Sequence, residues 1–447
     1  MTTRRDFIKK AFFGTTALSL APTAFTGLSA RGYSHVMGSN DRIRVAAIGV
    51  HARGAALAAN FVKQKGCVIT YVCDVDKRAA AKCAAAVEQL QGTRPIVVTD
   101  FRKALESKDV DAVFVATPDH WHALASLLAM QAGKEVYSEK PASYCPSEGE
   151  ILIEAVKKYG RVYQIGTQRR SWPNVIEGIR AVKEGAIGNV HFGKAWYTNN
   201  RPPIGIGKET EVPAWLDWNL WQGPAPRRAF KDNIVHYNWH WFWHWGTGEA
   251  LNNGTHMIDL LRWGMDLDYP TMVNAVGGRY FGNDDWETPD TQVINFDYDG
   301  KKSLSYEGRS CNGKMVEGNS VGVMFFGDKG SLLIAGNNGY SIFDMDNQVV
   351  KQQYGKISID PRNLMNPAEA LDAIHINNFF DAIRKGTALC ADVKTGHVST
   401  LLMQLGNIST RLGRTLYIDP LNGHILHDEE ANAYWTREYQ PGFEMKL

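Results

Sequence analysis

The chain has only six cysteines in 447 residues, at positions 67, 73, 83, 145, 311 and 390, and no two of them form a C-x-x-C pair or a zinc spacing. That argues against a disulfide framework and against a bound metal, leaving room for one incidental disulfide at most. Excess charge is equally scarce. The 49 Lys and Arg against 47 Asp and Glu leave a formal charge of +2, too little to recruit nucleic acid or an anionic membrane. No apolar run approaches the ~20 residues that span a bilayer. One glycine is also missing. In "IGVHARG", Gly49 and Gly54 hold the outer places of a G-x-G-x-x-G turn, but His51 stands at the middle one, where glycine normally lets the backbone approach a pyrophosphate.

What is present describes a globular protein. With 44% hydrophobic and 21% charged residues, the chain can bury one or two sizeable cores. Residues 1 to 35 read as an export address: Thr3-Arg4-Arg5-Asp6-Phe7-Ile8-Lys9 is a twin-arginine pattern, followed by an apolar stretch and the small-residue run "TGLSA". The expectation is a periplasmic protein moved by the twin-arginine machinery already folded around its cofactor. A nicotinamide cofactor used outside the cytoplasm has to be held tightly and regenerated in place.

The next 120 residues carry a β-α-β pattern. "RIRVAAIGV" is an apolar strand, residues 53 to 65 have helical character, and "CVITYVCD" is a second strand ending at Asp74. Asp74 follows Gly49 by 25 residues, near the ~20 expected of an acid that bonds ribose hydroxyls. It favours NAD, while Lys77 and Arg78 leave NADP open. "DVDAVFVATP" closes a further strand on Thr117-Pro118, and "EVYSEKPAS" closes another on Glu139-Lys140-Pro141. Open parallel sheets bind ligands beyond the carboxyl ends of their strands, where these polar residues lie. From about residue 160 the pattern changes to alternating strands such as "VHFGKAWYTN" and "TQVINFDYDG", suited to an antiparallel sheet. The expected fold is α/β: a doubly wound Rossmann domain over 41–160, then an α/β domain over 161–447 with a large, mostly antiparallel sheet.

The set "IGVHARG", "CDVD", "ATPDHWHA", "AGKEVYSEKPAS", "GTQRR" and "GTHMIDLLRW" resembles the glucose-fructose oxidoreductase and inositol dehydrogenase (Gfo/Idh/MocA) family, and the resemblance runs from about residue 41 nearly to the end. Its later helices are similar to those of the family's secreted bacterial branch. The resemblance implies that Gly49, His51, Ala52, Arg53, Gly54, Asp74, Thr117, Pro118, Asp119, His122, Glu139, Lys140 and Gln168 face the cofactor. It also implies a second domain that covers the substrate and often forms a homo-oligomer interface.

Oxidising a secondary alcohol requires a group that takes the hydroxyl proton. In the family the lysine of E-K-P and the histidine of D-x-G-x-H-x-x-D flank that hydroxyl, which assigns Lys140 and His256 the catalytic roles. The second motif departs from the family. It reads "NNGTHMID", with Asn252 in place of the aspartate. An amide orients an imidazole without raising its pKa, so the burden shifts toward Lys140. Asn252, His256 and Asp259 are expected to share one face of a helix and to meet the substrate, with Arg169 and Trp243.

Other readings stay open. Arg169 and Arg170 are either sugar ligands or plain surface charge. His120 and His122 have a metal-like spacing without a third ligand, and His236, His240 and His244 would share a face only if their segment were helical. Nine of the 13 tryptophans lie between residues 196 and 263. At least half are expected in the core, with the rest available to line a sugar pocket. The leading expectation is an exported dehydrogenase that oxidises a ring hydroxyl of a sugar or glycoside, at carbon three, with tightly bound NAD. The alternatives are a redox-neutral glycosidase or lyase working through a transient keto-sugar, and a sugar-binding protein without catalysis.

Overall fold

The computed structural model describes residues 42–355 and 368–447. The twin-arginine segment lies outside the described residues.

Six parallel strands form the first sheet: β1 (Ile43–Ile48), β2 (Cys67–Cys73), β3 (Ile96–Val98), β4 (Ala112–Val115), β5 (Glu135–Ser138) and β6 (Tyr163–Ile165), in the order β3-β2-β1-β4-β5-β6. That is the Rossmann order, and its direction reverses between β1 and β4, where a crevice opens at the strand ends. β1 and β4 are buried on both faces, so they read as continuous apolar runs rather than alternating ones. β3 and β6 are three residues each, too short for a periodic signal. β6 carries the sheet past residue 160, the expected end of this domain. The helix after the glycine turn spans Arg53–Val62, shorter than 53–65, because the chain turns through Gly66 at φ +72° into β2.

The second sheet has nine strands: β7 (Val190–Thr198), β8 (Met272–Gly278), β9 (Thr291–Tyr298), β10 (Lys302–Arg309), β11 (Val321–Gly327), β12 (Gly330–Ala335), β13 (Gly339–Phe343), β14 (Val349–Tyr354) and β15 (Leu416–Tyr417). Its order is β14-β13-β12-β11-β7-β10-β9-β8-β15, and only the β7–β10 pair is parallel. The helices Pro173–Lys183, Thr255–Met265 and Val393–Leu412 bury one face of it, with Leu261, Leu401 and Leu405 packed among Phe296, Leu304 and Phe325. The helix Glu369–Lys385 returns to the first sheet instead, where Ile376, Phe379 and Phe380 join Phe61, Phe114 and Tyr137 in one core. The two sheets are thereby interlocked rather than strung in sequence.

Between β7 and residue 246 runs a long aromatic excursion with its own small core of Leu216, Trp218, Trp221, Phe230, Trp239 and Trp245. It reaches back to the loop after β2. The Trp215 carbonyl accepts from Lys77 N at 3.0 Å, and Asp217 N donates to the Val75 carbonyl at 3.0 Å. The Arg78 guanidinium lies 3.5 Å over the Trp215 ring.

Candidate functional site

The crevice at the switch point opens into a cavity of about 550 Å³, within the ~300–1,000 Å³ of small-ligand sites. Its floor is the glycine turn. Gly49 has φ +76°, and a side chain there would come within 2.8 Å of the Ala116 carbonyl oxygen; a Cβ on Gly54 would fall 1.7 Å from the Gly49 oxygen. Both outer glycines are therefore required by close backbone approach. The middle position is not. His51 keeps a negative φ, and its ring stacks on His236 at 4.0 Å and 15°. His236 in turn lies 2.9 Å from Asp76. The helix Arg53–Val62 begins at Ala52 with no side-chain cap, which leaves first-turn amides open to an anion.

Two residues on this floor carry partners that the sequence does not show. Asp74 lines the cavity, but its carboxylate already accepts from Val50 N at 2.7 Å and Asp76 N at 2.8 Å, so it braces the turn as well as facing the expected ribose. Burial lifts its pKa to about 6 against the pull of those amides. Arg53 also lines the cavity. Its guanidinium is bound to Glu139 at 2.9 Å and to Asp372 at 3.0 Å. Although burial opposes it, those carboxylates hold the guanidinium firmly charged. Asp372 comes from the returning helix Glu369–Lys385, and no local pattern marked it.

Gln168 Nε2 donates to the same Glu139 oxygen at 2.9 Å, giving a buried Arg53–Glu139–Gln168 brace beside the lysine. Thr117 lines the cavity, and its Oγ1 is buried with no hydrogen-bond partner among the described residues. The Thr117 carbonyl faces His122 Nε2 at 2.8 Å, and His122 Nδ1 faces the Pro141 carbonyl at 2.7 Å, which locks the loop ends of β4 and β5 together. Pro118 and Asp119 complete this wall. Asp119 accepts from the Thr247 hydroxyl, and burial raises its pKa. His120 does not join it. Both its nitrogens are spent on the Trp221 and Trp245 carbonyls, and burial lowers its pKa to about 3.

The opposite wall comes from a π turn, Ala250–Gly254, running into the helix Thr255–Met265. Single π turns concentrate at functional sites because they displace a side chain and free a carbonyl. Here the freed groups meet the lysine: Lys140 Nζ donates to the Asn252 carbonyl at 2.6 Å and lies 3.3 Å from its Oδ1. Glu249, which the sequence reading missed, is buried and takes the Asn252 and Asn253 amides at 3.2 and 2.5 Å while paired with Arg201 at 2.6 Å. Burial lowers the Lys140 pKa, partly offset by Glu139 and Asp119.

His256 lines the same cavity, but Asn252 does not orient it. The Asn252 side chain is committed to Glu249 and Lys140, and His256 Nδ1 is buried without a hydrogen-bond partner among the described residues. Burial pushes the imidazole well below its ordinary pKa, with the charges of Lys140 and Arg169 adding to the effect. It stands neutral and able to accept. Asp259 leaves the site altogether. Its carboxylate is gripped by Arg170 at 2.7 and 2.9 Å and by the Ser399 hydroxyl at 2.6 Å, so the shared helical face holds only in part. Arg169 reaches the cavity, where burial lowers its pKa to about 10; Arg170 is the partner that captures Asp259.

Trp243 is also misplaced by the sequence reading. It lines a second cavity, and its neighbours Tyr237, Trp239 and His240 line the first. Trp196, Trp218, Trp221, Trp239, Trp241 and Trp245 are buried, so most of the aromatic segment is core. The segment around His236, His240 and His244 is a 3-10 turn over Asn238–Trp241, not an α-helix. Among the described residues no three His, Cys, Asp or Glu side chains are grouped to hold a metal, and no helix is long and apolar enough to cross a membrane.

Comparison with known proteins agrees with this architecture. Residues 43–167 match the oxidoreductase family's NAD-binding Rossmann fold, and residues 216–418 match its C-terminal alpha/beta domain. A levoglucosan dehydrogenase of Pseudarthrobacter phenanthrenivorans is 33% identical over 37% of this chain and 35% of its own length. A glycosyl hydrolase family 109 protein of Saccharopolyspora erythraea is 32% identical over 40% of this chain and 39% of its own, and an inositol 2-dehydrogenase of the same organism is 32% identical over 39% and 51%. The chain thus spans between about a third and a half of these relatives. A levoglucosan dehydrogenase structure with NADH and levoglucosan superposes with a TM-score of 0.63 at 18% identity, over 84% of this chain and 99% of that one, a likeness of fold. The strand order, the glycine turn and the two matched domains together place the chain in the Gfo/Idh/MocA oxidoreductase family.

Proposed function

We propose that the protein oxidises a secondary ring hydroxyl of a sugar or glycoside, at carbon three, with a retained NAD. The observation that carries this reading is that Lys140 and His256, both able to exchange a proton, line one cavity. The residues present fit the cofactor: the Gly49–Gly54 turn, the uncapped helix start, Asp74 and the orphaned Thr117 hydroxyl are the groups that would hold it. NAD, when bound, supplies the oxidising equivalent. The chain supplies the proton chemistry. Lys140, its ammonium disfavoured by burial, takes the hydroxyl proton; His256 accepts a hydrogen bond that orients the same oxygen. Arg169, Tyr237 and Asn253 bound the space left for the rest of the ring. The excursion tied to the loop after β2 supports slow cofactor release.

The glycosyl hydrolase family 109 relatives favour a second reading, in which the oxidation is transient and a glycosidic bond is cleaved before the cofactor is restored. The intact Glu139-Lys140-Pro141 motif favours net oxidation. Export through the twin-arginine route to the periplasm rests on Arg4 and Arg5, and Arg4→Lys with Arg5→Lys is expected to leave the protein in the cytoplasm on fractionation. Val276 and Val293, opposite each other across β8 and β9 and 67% and 38% exposed, support a homo-oligomer through the open sheet face.

To test the reaction, the purified full chain is loaded with NAD and given levoglucosan, myo-inositol and methyl glucosides. Lasting appearance of reduced-nicotinamide absorbance supports net oxidation. Release of methanol with no lasting reduction supports the second reading, and neither signal with any sugar contradicts both.

A further inference from the structure

The second cavity, of about 460 Å³, shares no lining residue with the first, and the two stand back to back across the Asp119–Thr247 hydrogen bond. Its floor contains two buried polar side chains with unmet hydrogen-bonding capacity. Arg437, whose side chain is 9% exposed, gives Nη2 to Glu148 and to the His120 carbonyl, both at 2.7 Å, and its guanidinium lies over the Tyr144 and Tyr439 rings, yet its Nε and Nη1 have no hydrogen-bond partner among the described residues. Gln404, 4% exposed, donates Nε2 to Ser143 at 3.1 Å, but its Oε1 accepts from nothing among the described residues. Such groups are destabilising unless a ligand or water completes them.

The rim continues the same chemistry. Arg227, Arg228 and Arg411 are exposed around the opening, and Arg411 is held in place over the Trp243 and Tyr434 rings at 4.8 and 4.4 Å. Among the described residues two carboxylates, Glu287 and Glu438, line the cavity, and Glu287 is already engaged by Trp243 N at 2.8 Å. The arginines ask for an oxyanion, which a guanidinium fork meets well. The Gln404 oxygen asks for a donor, which a bare oxyanion cannot give and a hydroxyl can.

We propose that this cavity is a second binding site, for an acidic saccharide: a hydroxylated ring carrying a carboxylate. The carboxylate faces the arginines and a ring hydroxyl donates to Gln404 Oε1. The site is separate from the reaction at Lys140 and stands or falls independently of it. Isothermal titration of the full chain with D-glucuronate, D-glucose and acetate at constant ionic strength provides the test. Glucuronate is expected to bind about tenfold or more tighter than either of the others, as paired charged and neutral hydrogen bonds allow. The variant Arg228→Ala/Arg411→Ala, which alters exposed side chains only, is expected to weaken it by about tenfold, with the unliganded melting temperature unchanged, while Lys140→Ala binds like the parent. If the double variant unfolds, Arg228→Ala alone is expected to weaken glucuronate measurably. Acetate binding as tightly as glucuronate would reduce the site to one for simple anions and overturn the proposal. So would absence of glucuronate binding, indifference to the arginine variants, or loss in Lys140→Ala, which would place the ligand in the first cavity.

Discussion

The two walls of the first cavity are built differently. The cofactor wall is made of strand ends and a turn that lie close together in the sequence, and it works largely through backbone: Gly49 and Gly54 are fixed by contacts at carbonyl oxygens. The substrate wall is made of side chains from a π turn, the helix that follows it and a 3-10 turn, and its central contact joins residues far apart in the chain: Lys140 donates to the carbonyl of Asn252, 112 residues away. Spacing alone describes the first kind of wall well. For the second kind, what matters is which neighbour captures a side chain first.

Lys140→Ala sets the scale of the comparison, because Lys140 stands where the walls meet. Loss of a positioned general base costs about 10²–10⁴ in kcat, and NADH binding, followed by fluorescence, is expected to stay at the parent level. A large loss of nucleotide affinity would instead make Lys140 part of the cofactor wall. Asp259 lies three residues after His256 but outside the cavity. Asp259→Ala strands the buried Arg170 guanidinium, which costs about 3–5 kcal/mol in urea unfolding, while kcat of the folded fraction is unchanged. A specific fall in kcat without loss of stability would return Asp259 to the substrate wall. The smallest effect is expected at His51. Its φ is negative and its contact is a ring stack on His236, so His51→Gly keeps or improves nucleotide affinity by equilibrium titration; lost affinity would identify the imidazole as a phosphate ligand.

The parallel sheet, the antiparallel sheet and the strand-end positions of Thr117, Glu139 and Lys140 were legible because each rests on local periodicity and on the rule that ligands gather at carboxyl ends of parallel strands. Strands β3 and β6 were not, at three residues each. Arg53 lines the cavity as the resemblance implies, but its partner Asp372 comes from 319 residues away, beyond any local pattern. Asp259 was read onto the helix face of His256, yet Arg170 and Ser399 hold it from behind. Trp243 and Trp239 are four residues apart and line different cavities, since the 3-10 helix ends at Trp241 and the chain runs extended through Phe242. Asn252 was rightly singled out as the odd residue of its motif. Its partner proved to be Lys140 rather than His256.

That pairing yields the most direct measurement: the pH dependence of the single-turnover rate of cofactor reduction in the NAD-loaded protein, compared with His256→Ala and Lys140→Ala. The base form of Lys140 grows as pH rises through its folded pKa, which burial brings below the ordinary lysine value. The rate is therefore predicted to rise with pH in the parent, to keep that rise at a lower ceiling in His256→Ala, and to lose it in Lys140→Ala. A rise that survives in Lys140→Ala and vanishes in His256→Ala would contradict the assignment of the proton acceptor.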